Sequence, residues 1–327
     1  MFLGVDGGGT KTALCLIDHD GNLIAQRQAP SVDYFAQGIE IVEKYLTQGI
    51  QDVCRDGGIT TGKLKYAFFG LPTYGEASGD VATLDAAPRA VLGHERYRCD
   101  NDMVCGWAGS LGAVDGINVI SGTGSMTYGE RAGTGARVGG WGELFGDEGS
   151  AYWIAVRGLT AFSQMSDGRL APGPLLEVLR THLDLTADLD LVDVVLNRWK
   201  GSRSEIAAMS RQIGEAAARG DVSSAQILAD AGCELAALVD CTGRRLAFGP
   251  DETVPVSYSG GVFSSEVVLA AFTAELGRRN VQHEIRQPLY TPDVGAALYA
   301  AKLAGTPLTP DALANLRDGL AAATSKA

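Results

Sequence analysis

Histidine and cysteine are scarce in this chain of 327 residues, and neither occurs at a spacing typical of a reactive site. The four histidines lie far apart in the sequence, which argues against a histidine metal site or a catalytic triad. The cysteines form no CxxC pair of the kind that zinc and redox sites use. We therefore expect six buried, reduced thiols: Cys15, Cys54, Cys99, Cys105, Cys233 and Cys241.

Basic residues are also in deficit, since 27 Lys and Arg oppose 39 Asp and Glu and leave a net charge of −12. A chain of this charge has no basic stripe to collect phosphates, which argues against nucleic-acid and anionic-membrane partners. No apolar run approaches the ~20 residues of a membrane span, and the start of the chain lacks the charged region of a secretion signal. We expect a cytoplasmic protein.

Glycine, by contrast, is abundant, with 43 residues that cluster in a few turns. The length allows two domains, taking about 150 residues per domain as a guide. The pattern of apolar runs restarts at Gly116, which predicts a duplicated unit. The sequence therefore predicts an N-terminal lobe at 1–115, a C-terminal lobe at 116–305 and a C-terminal helix or tail at 306–327.

The first lobe is predicted to open with three antiparallel strands. The apolar runs Phe2–Asp6 and Lys11–Asp18 flank a triple-glycine turn and favour a hairpin, which a third strand at 22–25 extends. The following predicted elements are a helix within 35–54, a strand at 64–70, a loop at 71–75, a helix at 80–92, a strand at 96–99 and a helix at 103–111.

The second lobe is predicted to repeat that opening. Strands at 117–120 and 126–129 flank the turn Ser121–Ser125, and residues 148–248 are mostly helical by their apolar spacing. The remaining predicted elements are a strand at 254–258, a helix at 264–276, a strand at 281–285 and helices at 293–303 and 310–324. Gly295 and its alanine neighbours are small enough for close helix packing.

The two glycine turns have the chemistry of phosphate sites. The segment Gly7–Thr12 is not a Walker A motif, because a threonine separates its glycines from the lysine and it joins two strands. Backbone N–H groups in such a turn can still cradle phosphate oxygens, and its threonine and lysine side chains add donors. The turn Ser121–Ser125 offers the same device. Asp6, at a strand end, would hold hydrated Mg²⁺.

The segment Val138–Trp153 combines glycines, two tryptophans and three carboxylates, and is too glycine-rich for the interior of a helix or strand. Its carboxylates lie at or beside the start of a predicted helix, and ionised carboxylates accept hydrogen bonds from neighbouring hydroxyls. A ligand loop for a polyhydroxylated compound and a glycine-rich turn before a capped helix are both compatible with this pattern. Either Asp147 or Glu148 could be the main hydroxyl acceptor.

Three motifs, Asp6–Thr10, Ile120–Ser125 and Gly139–Ala155, resemble those of N-acetylglucosamine kinases. These kinases belong to the sugar kinase, actin and chaperone (ASKHA) superfamily, in its BadF/BadG/BcrA/BcrD ATPase branch. The likeness spans nearly the whole chain, and the third motif is its most specific part. It implies an α/β fold of duplicated ribonuclease-H-like (actin-like ATPase) domains, with ATP and sugar in an interlobe cleft.

The resemblance also implies roles for individual residues, with Asp102 as the catalytic base. The residues implied to contact ATP are Gly7, Gly8, Gly9, Thr10, Lys11, Thr12, Gly122, Thr123, Gly124, Gly260 and Gly261. Those implied to contact the sugar are Asp33, Phe35, Thr73, Asp102, Thr123, Gly139, Gly140 and Asp147. A base that must reach a hydroxyl beside ATP belongs at a strand end, where Asp102 begins a helix. Asp100 is the alternative base, and a plain helix cap is the other interpretation of Asp102.

One segment departs from the family pattern. Where the family has Ser-Thr-Asn-His-Trp, this chain has Ser31-Val32-Asp33-Tyr34-Phe35, so a carboxylate replaces the sugar-contacting asparagine. A carboxylate there could favour a free 2-amino cation over an acetamide, and Phe35 replaces the ring-stacking tryptophan. The predicted function is an ATP-dependent kinase of the C6 hydroxyl of an amino sugar, N-acetylglucosamine in the first place and glucosamine as the alternative. A homodimer is expected.

Two other classes of function remain. An ATPase that activates a 2-hydroxyacyl-CoA dehydratase would hold an iron–sulfur cluster between two subunits and would need closely spaced cysteines, for which Cys99 and Cys105 are the only near pair. A sugar-sensing protein that has lost catalysis would keep the cleft only. Asp6 and Asp102 are both present, so nothing in the residues indicates such a loss.

Overall fold

The computed structural model describes residues 1–35, 37–279 and 281–324 and divides the chain into two compact units. Unit 1 comprises Met1–Val114 together with Gln287–Ala327, and unit 2 comprises Asp115–Arg286. Within the described residues each unit is built on one five-stranded sheet with helices packed against it. The end of the predicted tail, residues 325–327, lies outside the described residues.

The sheet of unit 1 has the strand order β3-β2-β1-β4-β5, and β1 is its central strand. Its elements are β1 (Phe2–Gly7), β2 (Lys11–Ile17), β3 (Leu23–Pro30), α1 (Glu40–Asp56), β4 (Tyr66–Leu71), α2 (Val81–Leu92), β5 (Tyr97–Asn101) and α3 (Met103–Leu111). The first three strands are antiparallel, whereas β4 and β5 run parallel to β1. Phe2, Leu3 and Val5 are all buried, as expected for a strand covered on both faces.

The sheet of unit 2 has the order β10-β9-β6-β7-β8 and the same strand directions. Its strands are β6 (Gly116–Ser121), β7 (Ser125–Arg131), β8 (Thr134–Gly139), β9 (Thr253–Ser259) and β10 (Gln282–Arg286). Three antiparallel strands followed by two parallel ones reproduce the arrangement of unit 1. The predicted duplication is therefore confirmed.

The helices of unit 2 follow β8 and form most of its core. They are α4 (Ala151–Ser166), α5 (Pro174–Leu183), α6 (Asp190–Asp193), α7 (Arg203–Ala208), α8 (Ser210–Ala218), α9 (Val222–Arg245) and α10 (Glu266–Leu276). By length and composition α9 could cross a membrane, although no membrane span was expected from the sequence. Its apolar stripe, including Ile227, Leu235 and Val239, is instead buried in the core of unit 2.

The last two helices, α11 (Pro292–Leu303) and α12 (Pro310–Thr324), belong to unit 1 and not to the second lobe or a separate tail. A Cβ atom at Gly4 of β1 would lie 2.2 Å from the backbone nitrogen of Ala297, so α11 lies directly on the central strand. A Cβ atom at Gly295 would lie 2.0 Å from the backbone nitrogen of Gly109 in α3. Residues 287–327 are thus grouped with unit 1, whereas the sequence predicted a lobe at 116–305 and a tail at 306–327. These glycines permit a backbone approach that only tertiary structure reveals.

The structure corrects one expectation about the cysteines. All six are unpaired, and Cys15, Cys54, Cys99 and Cys105 are buried as expected. Cys233, however, is exposed and Cys241 is half-buried. Both lie on α9, on the side of the helix away from its buried stripe.

Candidate active site

The first glycine turn connects β1 to β2 and is closed by its own backbone. The Gly8 N–H donates to the carbonyl of Lys11 at 2.8 Å, and the Ser31 hydroxyl donates to the Gly8 carbonyl at 2.7 Å. A Cβ atom at Gly7 would lie 2.7 Å from Val32 and 2.9 Å from the Gly70 carbonyl, so a side chain there would collide. Gly9, Thr10 and Lys11 are exposed, as a phosphate turn requires.

Thr12 differs from the other predicted phosphate ligands of this turn. Its side chain is buried, and its hydroxyl donates to the Pro30 carbonyl at 2.9 Å. Thr12 is part of the β2–β3 ladder, and β-strand alternation turns its side chain away from the exposed Lys11. The structure therefore assigns this hydroxyl to the sheet rather than to a ligand.

The segment Ser31–Phe35, which differs from the family pattern, is hydrogen-bonded to the first glycine turn through Ser31. The Asp33 N–H donates to the Ser31 hydroxyl at 3.1 Å, and the Asp33 Oδ2 atom lies 3.8 Å from the position of a Cβ atom on Gly9. The ring of Phe35 is 57% exposed and meets the Tyr34 ring edge-on. The structure thus places a carboxylate and an open aromatic ring beside the turn.

Thr73 lies two residues beyond β4, in the loop predicted at 71–75. Its backbone has a φ angle of +63°, in the left-handed region, and its hydroxyl donates to the Pro72 carbonyl at 2.6 Å. The hydroxyl of the buried Tyr34 donates to Asp80 at 2.9 Å and anchors the neighbouring segment. This loop follows the carboxyl end of a parallel strand, where ligands gather in α/β sheets.

The carboxyl ends of β1, β4 and β5 bring Asp6 close to Asp102. A Cβ atom at Gly70 would lie 2.2 Å from the Cys105 sulfur and 3.0 Å from the Cα atom of Asp102. The Cys105 thiol donates to the Val5 carbonyl at 3.5 Å, beside Asp6. Close packing at Gly70 in β4 therefore brings the predicted magnesium ligand, Asp6, near the predicted base, Asp102.

Burial, followed by the negative charges of Asp102 and Asp293, raises the pKa of Asp6 to about 7. This crowding of carboxylates suits a divalent cation. Among the described residues no group of three or more His, Cys, Asp or Glu side chains could enclose a metal ion. Mg²⁺ retains several waters and is usually bound through one or two carboxylates and substrate phosphates, so Asp6 fits hydrated Mg²⁺.

The contacts of Asp100 and Asp102 distinguish the two candidate bases. Asp100 is paired with Arg98, whose Nη2 atom donates to its Oδ2 atom at 2.8 Å. Asp102 precedes α3, but its side chain makes no capping hydrogen bond, and the Asn101 side chain accepts the Met103 N–H at 3.2 Å instead. The ion pair disfavours Asp100 as a base, and the missing cap bond disfavours the capping interpretation of Asp102.

In unit 2 the second glycine turn is bound to the glycine-rich loop. The Ser121 hydroxyl donates to the Gly149 carbonyl at 2.9 Å, and the Ser125 hydroxyl donates to the Glu148 carbonyl at 2.6 Å. The Gly122 carbonyl accepts the Ala151 N–H, at the start of α4, at 2.8 Å. The turn and the loop therefore form one local structure that holds Thr123 and Gly124.

The glycine-rich loop begins at the end of β8, where Gly139 and Gly140 have φ angles of +78° and +70°. These left-handed conformations favour glycine. The carboxylates lie just before α4, but the cap of this helix is Ser150, whose hydroxyl accepts the Trp153 N–H at 3.1 Å. Asp147 has a φ angle of +57° and is only 2% exposed, so its carboxylate is held inside the loop.

Arg203, which the sequence analysis did not single out, binds the loop from outside. Its Nη2 atom donates to the Asp147 Oδ2 atom at 2.5 Å, and its Nε atom lies 3.1 Å from the Glu143 Oε2 atom. The residue lies at the start of a short helix in a long helical stretch. An arginine in such a place carries no sequence signal that separates it from an ordinary surface charge.

The predicted adenosine turn lies against the second phosphate turn. Gly260 follows β9 with a φ angle of +97°, and a Cβ atom there would lie 2.2 Å from the Ser121 carbonyl oxygen. Gly261 then begins a turn of 3₁₀ helix. Within unit 2 the structure therefore joins three predicted segments, namely the second phosphate turn, the sugar loop and the adenosine turn.

Comparisons with known proteins agree with these motifs. The sequence profile of the BadF/BadG/BcrA/BcrD ATPase family matches residues 3–300. The chain is 29% identical to an N-acetyl-D-glucosamine kinase of Dictyostelium discoideum, covering 92% of this chain and 97% of the relative. It is 28% identical to an N-acetylmuramic acid/N-acetylglucosamine kinase of Clostridium acetobutylicum, covering 80% of this chain and 85% of that relative.

Among solved structures, a candidate N-acetylglucosamine kinase of Chromobacterium violaceum matches with a TM-score of 0.64 at 24% identity. The match covers 90% of this chain and 97% of the other. At that identity the likeness shows a common fold, and it confirms the predicted duplicated α/β architecture.

Proposed function

Because the chain belongs to the BadF/BadG/BcrA/BcrD ATPase family, we propose that it is an ATP-dependent kinase that phosphorylates the C6 hydroxyl of an amino sugar. The observation that carries the proposal is the proximity of Asp6 and Asp102, at the ends of the two strands that flank β4, beside an exposed glycine turn. The names of the curated relatives support N-acetylglucosamine as the first substrate to consider.

In this proposal Asp102 accepts the proton of the sugar hydroxyl as the hydroxyl oxygen attacks the terminal phosphorus of ATP, the bond from that phosphorus to the bridging oxygen breaks, and ADP leaves. The backbone N–H groups of the two glycine turns, with the Lys11 ammonium, hold the phosphate oxygens. Bound Mg²⁺ would neutralise charge on the transferring phosphoryl group. Asp6 would hold its water shell.

Glucosamine is a second candidate substrate, and Asp33 is the observation in its favour. The Asp33 carboxylate lies beside the first turn, where its backbone N–H is fixed by Ser31. An ionised carboxylate binds an ammonium group more strongly than it binds a neutral amide, because the hydrogen bond to the ammonium is charge-assisted. A free 2-amino sugar would therefore gain from Asp33, whereas an acetamide would not.

The dehydratase-activator alternative is disfavoured by the state of its two candidate cysteines. Cys99 is 5% exposed and Cys105 is fully buried. Burial raises the pKa of both thiols, which opposes the thiolate that an iron–sulfur cluster needs. Neither sulfur could be shared with a second subunit without a rearrangement of β5 and α3.

A coupled assay of ADP release tests the proposal across glucosamine, N-acetylglucosamine, N-acetylmannosamine, N-acetylmuramate and glucose. We expect the highest kcat/KM with one of the amino sugars and a loss of at least about a hundredfold in kcat for Asp102→Asn, with sugar binding retained. Glucose turnover equal to the best amino sugar would refute the substrate class. Near-normal turnover of Asp102→Asn would remove that residue from the mechanism.

We further propose that the enzyme acts in the cytoplasm, where ATP and Mg²⁺ are available, and that it forms a homodimer. Sedimentation velocity over a range of concentrations measures the oligomeric state directly. A single species of 34.2 kDa at all concentrations would contradict the dimer.

A further inference from the structure

One cation connects the glycine-rich loop of unit 2 to the helical part of that unit. Arg203 begins α7 directly after Ser202, and its guanidinium reaches two carboxylates of the loop. The Nη2 atom donates to Asp147, and the Nε atom faces Glu143 from the same side chain. A planar guanidinium can make two such contacts at fixed angles, whereas a lysine ammonium cannot.

The same ion pair also touches the second phosphate turn. A Cβ atom at Gly124 would lie 2.6 Å from the Nη2 atom of Arg203 and 2.7 Å from the Oδ2 atom of Asp147. A side chain at this point would displace the pair. Arg203 and Asp147 therefore lie directly over the turn that contains Thr123, another predicted sugar contact.

The burial of Asp147 gives this contact its importance. The side chain is 3% exposed, while the Arg203 side chain is 43% exposed and reaches in from the surface. Among the described residues, the Asp147 carboxylate accepts its hydrogen bond from Arg203, and the accepting atom is Oδ2. Removal of one partner from a buried ion pair is costly, because the other partner is left without its contact. With Oδ2 occupied, Oδ1 is the oxygen left to accept a ligand hydroxyl.

We propose that Arg203 is a positioning residue for the sugar: it holds Asp147 through Oδ2 and fixes the direction of its second oxygen, so that the loop is ready to bind a hydroxyl. This inference rests on the proposed kinase function. It makes sugar affinity dependent on a residue outside the recognised motifs. The effect should appear mainly in the KM for the sugar, because Arg203 acts on binding and not on proton transfer.

The test compares Arg203→Gln, Arg203→Lys and the control Arg211→Gln, an exposed arginine on α8. We expect Arg203→Gln to raise the KM for the sugar about tenfold or more while kcat changes less than about threefold. Arg203→Lys retains the charge without the fork and should recover part of the affinity. Arg211→Gln should match the wild type. An unchanged KM for the sugar in Arg203→Gln would overturn the proposal.

A double-mutant cycle shows whether Arg203 acts through Asp147. Asp147→Asn alone should also raise the KM for the sugar. Adding Arg203→Gln to Asp147→Asn should then have little further effect, because the group that Arg203 positions is already altered. If the two increases in KM multiply independently, Arg203 does not act through Asp147.

Hydrogen exchange separates failure of this inference from failure of the proposed function. The amides of residues 139–150 should exchange faster in Arg203→Gln than in the wild type or in Arg211→Gln, with no substrate present. A wild-type enzyme that turns over no amino sugar would refute the proposed function, while this comparison would still test the loop. Equal exchange in all three proteins would overturn the positioning role.

Discussion

At the level of single residues, Asp6 shows how strongly burial and neighbouring carboxylates change the pKa of one side chain of the candidate site. Burial, followed by the charges of Asp102 and Asp293, raises the pKa of Asp6 from 3.8 to about 7. The folded state therefore retains a proton that the unfolded chain loses near pH 4. Stability from this group is present at acidic pH and declines as the pH rises from about 4 to about 7.

Asp6→Asn should remove this penalty. Since one pH unit corresponds to about 1.4 kcal/mol, the variant should be more stable than the wild type at pH 8 by up to about 4 kcal/mol, with no such gain at pH 4. Urea unfolding between pH 4 and pH 8 in the presence of EDTA measures the difference. Equal stability of the two proteins at pH 8 would contradict the buried charge.

Asp188 provides the control of opposite sign. The Arg180 guanidinium, with the Ser166 hydroxyl, lowers the pKa of Asp188 to about 2. Its ionised form therefore contributes stability above about pH 4, and this contribution declines as the pH falls toward 2. Asp188→Asn should be less stable than the wild type at pH 8 by about 1 kcal/mol or less, because the pair is near the surface.

Asp33 should decide between the two candidate sugars. Asp33→Asn restores the residue of the family pattern, and we expect the ratio of kcat/KM for glucosamine to that for N-acetylglucosamine to fall about tenfold or more. A hydrogen bond to a charged group contributes about 1.5–3 kcal/mol, which is the basis for this magnitude. Phe35→Trp serves as the control, since a changed ring should affect both sugars alike. An unchanged ratio in Asp33→Asn would exclude the carboxylate from amine recognition.

At the level of helices and strands, the contact of α11 with α3 depends on the absence of side chains at Gly295 and Gly109. Gly295→Ala places a Cβ atom 2.0 Å from the Gly109 nitrogen, so the helices must separate, and we expect a loss of about 2 kcal/mol or more. Gly319→Ala in α12 is the matched control, because no atom lies within 4 Å of its Cβ position. That change should stabilise the protein by up to about 1 kcal/mol.

Thermal unfolding of both variants measures this difference. Equal melting temperatures of Gly295→Ala and the wild type would show that the two helices can separate without cost. The comparison is informative because both substitutions exchange the same residues within a helix, and only the surroundings differ.

Local patterns predicted most of these elements, since apolar runs and helical spacing are properties of short segments. The helix at 103–111 has the predicted bounds, and both hairpins are present. The strand β8 was not predicted, because Thr134–Gly139 has two glycines and few apolar residues and is stabilised by pairing with β7. Pairing with β7 therefore stabilises a strand whose own residues have little preference for β structure.

The candidate site was predictable to the extent that its residues lie in turns. Glycine motifs located both glycine turns and the glycine-rich loop, whereas their binding of phosphate and sugar stays a prediction. The hydrogen bond of the Thr12 hydroxyl to the Pro30 carbonyl could not be foreseen, because the direction of this hydroxyl depends on the register of β2 with β3. Arg203 was missed because it lies 56 positions from Asp147, and ion pairs at that separation leave no local signal.

At the level of the whole molecule, unit 1 is assembled from two separate parts of the chain. The Leu289 N–H donates to the Ser110 carbonyl at 3.2 Å, and the Lys302 ammonium donates to the Ala113 carbonyl at 3.0 Å. The chain therefore leaves unit 1 and re-enters it at neighbouring points. Unit 2, in contrast, is formed from one continuous stretch.

This arrangement predicts different behaviour of isolated fragments. Residues 115–286 should fold alone, and residues 1–114 should not, because β1 would lose the cover of α11. A variant that joins Val114 to Gln287 through a short glycine–serine linker should recover folding of unit 1. Circular dichroism and urea unfolding of the three proteins check this. Cooperative unfolding of residues 1–114 alone would refute it.

The return of α11 to the central strand of unit 1 has a consequence during synthesis on the ribosome. Residues 1–114 emerge first but lack their final helices while residues 115–286 are made, a delay on the order of 10–30 s at about 5–20 residues per second. Unit 2 can complete its core before unit 1 does. The apolar face of β1 therefore remains exposed in the nascent chain until α11 is made, and a chaperone could bind it there.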